Sequence, residues 1–226
     1  MSWKLLEGKG YSTLEWSSMN EGLRDKDIEE LKEAYNRIPG ANKVTVVIPA
    51  GNIGLGIAGT LQKLGLKQVK EREVYYKDLR ETTDFPDSSL EYICHPSTEE
   101  AQRCLSLILG SPEEAERMLD GLYTEVERDK FRIYLVRKAG KDAGFFIPHI
   151  EPYTKTEGRI FFFGITPQFR GQGLASEVHN FAAASLRMEL KADSYIGTTD
   201  VQNLPMKKVF QKNGCVKIQS IKIYSR

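Results

Sequence analysis

A turn with two glycines, between an apolar run and a long amphipathic segment, constrains the fold of this chain more than any other feature. Residues 158–165 (GRIFFFGI) predict a buried strand, residues 173–190 predict a helix, and residues 166–175 (TPQFRGQGLA) join them. Gly171 and Gly173 let the backbone curl tightly and approach a ligand closely. The first N–H groups of a helix have no partner inside it and lie at the positive end of its dipole, so the turn can bind an anion.

The ligand expected at this turn is a pyrophosphate, held mainly by backbone amides. Arg170 would add a charge-assisted contact. Glycines also occur in strand-to-helix turns that bind nothing. The segments around the turn favour the ligand-binding interpretation.

The turn and those segments resemble the GNAT superfamily of N-acetyltransferases. Gln168-x-x-Gly171-x-Gly173 is similar to the family's Gln/Arg-x-x-Gly-x-Gly/Ala signature, and the Ile-x-Pro before it and the Leu-Ala after it agree. Asn203 opens a predicted helix that ends in Lys-x-Gly214 before the last strand, as in the family's second block. The order of predicted elements from residue 90, β-α-α-β-β-β-α-β-α-β, agrees as well, so the resemblance covers about residues 90–226.

This resemblance implies a transfer of acetyl from acetyl-CoA to a primary amine of a small molecule or peptide, by direct attack in a ternary complex. The pantetheine arm would pair with the backbone at Gly164, Ile165 and Thr166, and an N–H near Ile165 would stabilise the oxyanion. Asn203 would contact the pantetheine or a water near the sulfur. Amides across the turn would hold the pyrophosphate: Gln168, Phe169, Arg170, Gly171, Gln172, Gly173, Leu174 and Ala175.

The acid and base groups have more than one candidate each. Because the third strand offers no acid, His149 and Glu151 on the neighbouring strand are the nearest candidates for the general base. A strand-end histidine and a solvated loop carboxylate are the alternative interpretations. Many family members protonate the leaving thiolate with a tyrosine seven residues after the asparagine, and this chain has Phe210 there. Tyr224 or Cys215 could substitute, and a thiolate of pKa ~8.5 leaves readily even without help.

The predicted fold is α/β (α+β). Residues 86–226 are expected to form the GNAT domain, a mixed central sheet flanked by helices and splayed open at the acetyl-CoA cleft. Residues 1–85 are expected to form a smaller α/β segment, mostly irregular over residues 1–25 and helical over 27–38. The polar residues 80–90 favour a boundary between these parts.

Part of the N-terminal segment resembles a degenerate GNAT repeat. The sequence LQKLGL at residues 61–66 parallels FQKNGC at residues 210–215, and both follow an asparagine and precede a strand. Residues 43–79 are therefore similar to the last strand-helix-strand of the family fold. We expect this segment to help shape the acceptor pocket.

Two other functions remain open at this point. A non-catalytic acyl-CoA-binding or sensing domain is favoured by Phe210 and by the acid-free third strand. A dinucleotide-binding protein is suggested by the GxGxxG from Gly54 to Gly59, with Glu71 or Glu73 near the place of the ribose-binding acid. Five residues separate that motif from the predicted strand, whereas the fingerprint needs a tight turn.

The composition and charge of the chain restrict its expected binding partners and its expected location. The net charge is +1, which argues against nucleic-acid or membrane binding. The three cysteines are dispersed without metal-ligand spacing, so we expect a reducing compartment and no metal. The first residues lack the apolar core of a signal peptide, and no run is long enough to span a membrane. We therefore expect a cytoplasmic protein, and leave a homodimer open.

Overall fold

The computed structural model describes residues 3–8, 10–16, 24–40, 42–51 and 55–226. Within them the chain is mixed α/β, as predicted, with ten strands and six α-helices. The strands are β1 (Trp3–Gly8), β2 (Tyr11–Trp16), β3 (Lys43–Pro49), β4 (Lys67–Asp78), β5 (Glu91–Cys94), β6 (Tyr134–Lys138), β7 (Lys141–Ile150), β8 (Glu157–Ile165), β9 (Ser194–Asp200) and β10 (Val216–Ser225). The helices are α1 (Asp25–Asn36), α2 (Leu55–Lys63), α3 (Thr98–Leu109), α4 (Pro112–Glu125), α5 (Leu174–Met188) and α6 (Leu204–Lys212).

The chain divides into two compact units, each assembled from separate stretches of sequence. The first unit comprises Met1–Val74, Thr198–Leu204 and Lys217–Arg226, and the second comprises Tyr75–Gly197 and Pro205–Val216. The expected boundary after residue 85 stays a prediction.

In the first unit, the strands follow the order β1-β2-β3-β10, and the first part of β4 lies next to β10. β2 and β3 are parallel, whereas the β1–β2 and β3–β10 pairs are antiparallel. The core contains Val44, Val46 and Ile48 from β3 and Leu31 and Tyr35 from α1. These apolar side chains alternate along β3 and recur at helical spacing along α1, as the sequence predicted.

The expectation that residues 1–25 are mostly irregular is wrong for residues 3–8 and 11–16, which form strands; residues 1, 2, 9 and 17–23 lie outside the described residues. β1 and β2 form an antiparallel hairpin in which Trp3 pairs with Trp16. The two indole rings meet edge to face with centroids 5.3 Å apart, and Leu14 beside them is fully buried. Buried residues alternate along β2 alone, and Trp3 is the single buried residue of β1, so the pattern is too short to stand out among the polar residues around it.

In the second unit, the last residues of β4 are followed across the sheet by β9, β8, β7, β6 and β5. Phe145 and Ile147 of β7 point to a core that they share with α3 and α4. Phe146, the residue between them, belongs to a different core with α5. The strands are therefore covered by helices on both faces, which accounts for the apolar runs in β7 and β8.

Local helix signals are confirmed. Ser97 accepts a hydrogen bond from the Glu100 N–H and forms the predicted capping box, and Ser111 caps α4 ahead of Pro112. The predicted similarity of residues 61–66 and 210–215 extends to backbone geometry. Gly65 after α2 and Gly214 after α6 have φ of 76° and 72°. In both turns the next N–H reaches back to a carbonyl five residues earlier at 2.9 Å.

Candidate functional site

The glycine turn has the geometry predicted for it. β8 ends at Ile165, a 3₁₀ turn covers Pro167–Phe169, and α5 begins at Leu174. Gly171 and Gly173 have φ of 76° and 79°, a left-handed conformation that favours glycine. A Cβ added to either glycine would meet no protein atom within 4 Å. The backbone conformation requires these glycines, and open space lies in front of them.

Unsatisfied backbone donors line this turn. In the part of the chain that the structure describes, the N–H groups of residues 171–175 have no hydrogen-bond acceptor. Serines cap the N-termini of α3 and α4, whereas the N-cap residue of α5 is Gly173, which has no side chain to accept a hydrogen bond. A run of N–H groups at the positive end of a helix dipole forms a cradle for an anion.

Three residues of the turn hold its shape. Phe169 and Leu174 are buried in the core beside α5. The Thr166 N–H donates to the Ala143 carbonyl at 3.0 Å, and its hydroxyl donates to the Asp142 carbonyl at 3.0 Å. β7 therefore already occupies the Thr166 N–H, and the predicted pairing of the pantetheine arm with the backbone at Gly164–Thr166 stays a prediction.

Two polar side chains of the turn, Arg170 and Gln172, stabilise it through hydrogen bonds to backbone carbonyls. Arg170 donates from Nε to the Ile165 carbonyl at 3.0 Å and from Nη2 to the Ile108 carbonyl at 3.4 Å, which ties the turn to β8 and α3. Gln172 donates to the Gln168 carbonyl at 3.1 Å. The expected contact of Arg170 with a pyrophosphate stays a prediction.

A gap opens between β8 and β9 next to the turn. The two strands are parallel and pair at Glu157 with Ser194 and at Gly158 with Tyr195. No further pair forms along the described residues 159–165 and 194–197. Alternate N–H groups of a strand face opposite neighbours, and those of residues 162, 164 and 166 face β7. The register shift between Ile147 and Pro148 leaves Phe161 unpaired as a β-bulge and reverses this alternation before it. The N–H groups of Ile160, Phe163 and Ile165 therefore face the gap, whereas the Gly164 N–H does not.

Gly164 is required by the close approach of α3. A Cβ there would lie 2.6 Å from Cγ2 of Ile108. Gly164→Ala is therefore expected to lower the free energy of unfolding by about 1–3 kcal/mol, measured by urea denaturation.

Adding Ile108→Ala to Gly164→Ala removes the clashing methyl, so the double variant should lose less stability than the two single changes together. Gly59→Ala in α2, where nothing lies within 4 Å, is the matched control and should be neutral or stabilising. Additive losses from Gly164→Ala and Ile108→Ala would contradict the close approach.

His149 and Glu151 lie together, apart from the turn. His149 Nε2 is 3.6 Å from Glu151 Oε2, which is 3.3 Å from Arg159 Nε. His149 is buried, and its Nδ1 has no hydrogen-bond partner among the described residues. β7 places His149 opposite Arg159, six residues before Ile165 on β8. At ~3.3 Å per residue that separation is about 20 Å, so the structure does not bring these side chains to Ile165.

Of the other predicted site residues, Asn203 and Tyr224 belong to the first unit and Cys215 belongs to the second. Asn203 precedes α6 in the first unit, where its N–H donates to the Asp200 carbonyl at 2.9 Å. Tyr224 packs on the core of the first unit, with its hydroxyl 3.5 Å from Gln68 Oε1. Cys215 is buried in the second unit, and this burial raises the pKa of its thiol to about 11.

One polar cluster was missed by sequence reasoning. His179 of α5 is fully buried, and its ring nitrogens lie 2.9 Å from Asn213 Nδ2 and 3.1 Å from Tyr195 Oη. Burial, with a smaller effect of the Lys77 charge, lowers the pKa of His179 to about 3, so the ring is neutral at pH 7. Asn213, in the Lys-x-Gly turn, was the one visible signal of this cluster.

The described part of the dinucleotide motif, residues 55–59, is helical. β3 ends at Pro49, and Gly56 and Gly59 lie inside α2 rather than in a turn; Gly54 is outside the described residues. Glu73 forms an ion pair of 2.8 Å with Lys217. In the fingerprint a glycine ends the strand and opens the helix, and no glycine among the described residues 55–59 does so.

No group of His, Cys, Asp and Glu suited to a metal ion occurs among the described residues. None of the helices described is both long enough and apolar enough to cross a membrane.

Comparison with known proteins identifies the family. Residues 77–216 match the model of the acetyltransferase (GNAT) domain, and the chain therefore belongs to the GNAT acetyltransferase family. No curated protein sequence matches the chain.

Solved structures share the fold. A GCN5-related N-acetyltransferase from Kribbella flavida is 12% identical over 99% of this chain and 89% of that chain, with a TM-score of 0.65. One from Sphaerobacter thermophilus is 13% identical over 99% and 75%, with a TM-score of 0.60. A tandem GNAT protein from the clavulanic acid biosynthesis pathway is 13% identical over 99% and 78%, with a TM-score of 0.59.

Proposed function

We propose that the chain is an acetyl-CoA-dependent N-acetyltransferase that acts on a primary amine of a small molecule or peptide. The observation that carries this proposal is the run of acceptor-free N–H groups at residues 171–175, next to the open edge of β8. The N–H groups would hold the pyrophosphate, and the pantetheine arm would take the place of a strand beside Phe163 and Ile165.

The acetyl group would lie at the closed end of the gap. From Ile165 to Ile160 the strand extends ~17 Å, a stretch along which an extended arm can run. His149 and Glu151 lie across β8 from that end, beside Arg159, and are the proposed base for the attacking amine. The oxyanion would then be stabilised by the Ile160 N–H rather than by one near Ile165.

The N-terminal segment is proposed to be a degenerate partial repeat. The matching turns at Gly65 and Gly214, and the shared fold of a tandem GNAT protein, support this proposal. Asn203 is proposed to contact the pantetheine or a water near the sulfur.

Isothermal titration of the full-length protein with acetyl-CoA, and with NAD in parallel, tests the proposal. We expect saturable binding of acetyl-CoA alone, and release of CoA thiol when a suitable amine from a panel is added. Binding of NAD without acetyl-CoA would contradict the assignment of the cradle.

A non-catalytic acyl-CoA-binding domain is the second candidate, favoured by the buried Phe210 in place of a proton donor. Acetyl-CoA binding without turnover on any amine would favour it.

A further inference from the structure

Tyr195 lies where β8 and β9 separate. It is the last residue of β9 that pairs with β8. Its side chain is 2% exposed, and its hydroxyl lies 2.5 Å from the point that a Cβ on Gly197 would occupy. Gly197 is two residues beyond the last pair, so the hydroxyl borders the start of the gap. From α5, the His179 ring meets the rings of both Tyr195 and Phe163 of β8 edge to face, at 5.2 and 5.8 Å.

The hydrogen bonds around His179 fix its tautomer. Asn213 Nδ2 is 2.9 Å from the Ser176 carbonyl and 2.9 Å from His179 Nδ1. A carbonyl only accepts, so this atom must be the amide nitrogen, and its second hydrogen points at His179 Nδ1. A neutral ring then carries its proton on Nε2, which donates to Tyr195 Oη at 3.1 Å.

This arrangement leaves the Tyr195 O–H hydrogen without an acceptor. His179 donates to the hydroxyl oxygen, and no described residue accepts from the hydroxyl. A buried donor without an acceptor is costly, so a ligand atom that reached it from the gap would bind favourably.

We propose that the Tyr195 hydroxyl donates to the thioester sulfur of acetyl-CoA and protonates the departing thiolate. The proposal rests on the function proposed above, because it needs acetyl-CoA in the gap. It supplies the proton donor that Phe210 cannot provide. The Phe210 ring lies beside the same hydroxyl, 2.8 Å from the Cβ position of Gly197.

The step balances without a further co-reactant. The amine nitrogen attacks the thioester carbon, and the electrons of the C–S bond move to sulfur as that bond breaks. The sulfur takes the Tyr195 proton, and the Nε2–H of His179 stabilises the phenolate. The phenolate then regains, through the proposed base or solvent, the proton lost by the attacking nitrogen. The products are the amide and CoA thiol.

The pKa of the CoA thiol tests the proposal without a known acceptor. CoA is bound to the full-length protein, binding is confirmed by isothermal titration, and the ultraviolet absorbance of the thiolate is followed against pH. Burial holds the pKa of His179 near 3 and raises that of Cys215 to about 11, so neither titrates between pH 6 and 9. The Lys77 ammonium is the nearby charge that acts on both groups.

We expect Tyr195→Phe to raise the pKa of the bound thiol by about one to two units, because it removes a hydrogen bond to the thiolate. Tyr134→Phe removes another buried hydroxyl, one that donates to Glu189, and should leave the pKa of the bound CoA thiol unchanged. Phe210→Tyr added to Tyr195→Phe restores a hydroxyl beside Gly197 and should lower the pKa again.

Asn213→Asp tests the tautomer with Tyr195 intact. The carboxylate would accept from His179 Nδ1, so that Nε2 accepts the Tyr195 proton, and the thiol pKa should rise as in Tyr195→Phe. The same thiol pKa in wild type, Tyr195→Phe and Asn213→Asp, all with CoA bound, would overturn the proposal. Failure of the wild type to bind CoA would instead overturn the function on which it rests.

Discussion

Replacing Gly173 by glutamate is expected to weaken acetyl-CoA binding at least about a hundredfold while the protein stays folded. Gly173 is the N-cap residue of α5 and lies at the centre of the acceptor-free N–H groups. A carboxylate there would lie against the pyrophosphate, and like charges at a contact cost several kcal/mol. The protein itself has room for the side chain, since no atom lies within 4 Å of the added Cβ.

Gly65→Glu is the matched control for backbone strain. Gly65 has φ of 76°, close to the 79° of Gly173, and also has nothing within 4 Å of an added Cβ. Both variants should lose about 1–2 kcal/mol of stability from the left-handed conformation, but only Gly173→Glu should lose acetyl-CoA binding. Gly173→Gln separates the bulk of the side chain from its charge. Normal binding by Gly173→Glu in isothermal titration would show that the pyrophosphate lies elsewhere.

The features that sequence reasoning found are those encoded by neighbouring residues. Ser97 with Glu100, and Ser111 with Pro112, define helix starts within a single turn of chain. Gly173 likewise marks both the end of a turn and the start of a helix. Such signals depend on backbone chemistry over a few residues, so they can be predicted without knowledge of the fold.

Strand pairings between segments far apart in the chain could not be predicted from such local signals. β10 pairs with β3, which precedes it by about 170 residues, and local patterns do not specify such a partner. The hairpin of β1 and β2 was missed for a related reason. Its buried side chains, Trp3, Leu14 and Trp16, alternate only briefly, and their burial depends on a core completed by α1 and β3.

The same distinction between local signals and distant contacts applies to the candidate site. The turn at residues 171–175 was found because its glycines lie two residues apart, next to a predicted strand and a predicted helix. The cluster of His179, Tyr195 and Asn213 joins three elements, and its chemistry appears only once the three side chains meet. His149 and Glu151 were chosen by residue type, but only the strand register gives their distance from Ile165.

Acidification is expected to destabilise the second unit through His179. Its pKa is about 3 in the folded protein and ~6.5 in an unfolded chain. As the pH falls below ~6.5, the unfolded chain binds this proton and the folded protein does not, so stability declines. Between pH 7 and 4 the loss should be about 3 kcal/mol. The His179→Gln variant has no titrating group at position 179. Its free energy of unfolding should therefore fall by about 3 kcal/mol less than that of the wild type between pH 7 and 4.

The two units allow this effect to be localised. Both tryptophans, Trp3 and Trp16, lie in the first unit, so their fluorescence reports on that unit, while amide hydrogen exchange of α5 reports on the second. Carboxylates whose pKa is lowered by partners, such as Asp78 and Glu100, also lose their stabilisation in acid, but equally in both proteins. The difference between wild type and His179→Gln in the pH dependence of α5 exchange therefore isolates His179. An identical pH dependence in the two proteins would mean that His179 is not held neutral by burial, and the tautomer argument for Tyr195 would lose its basis.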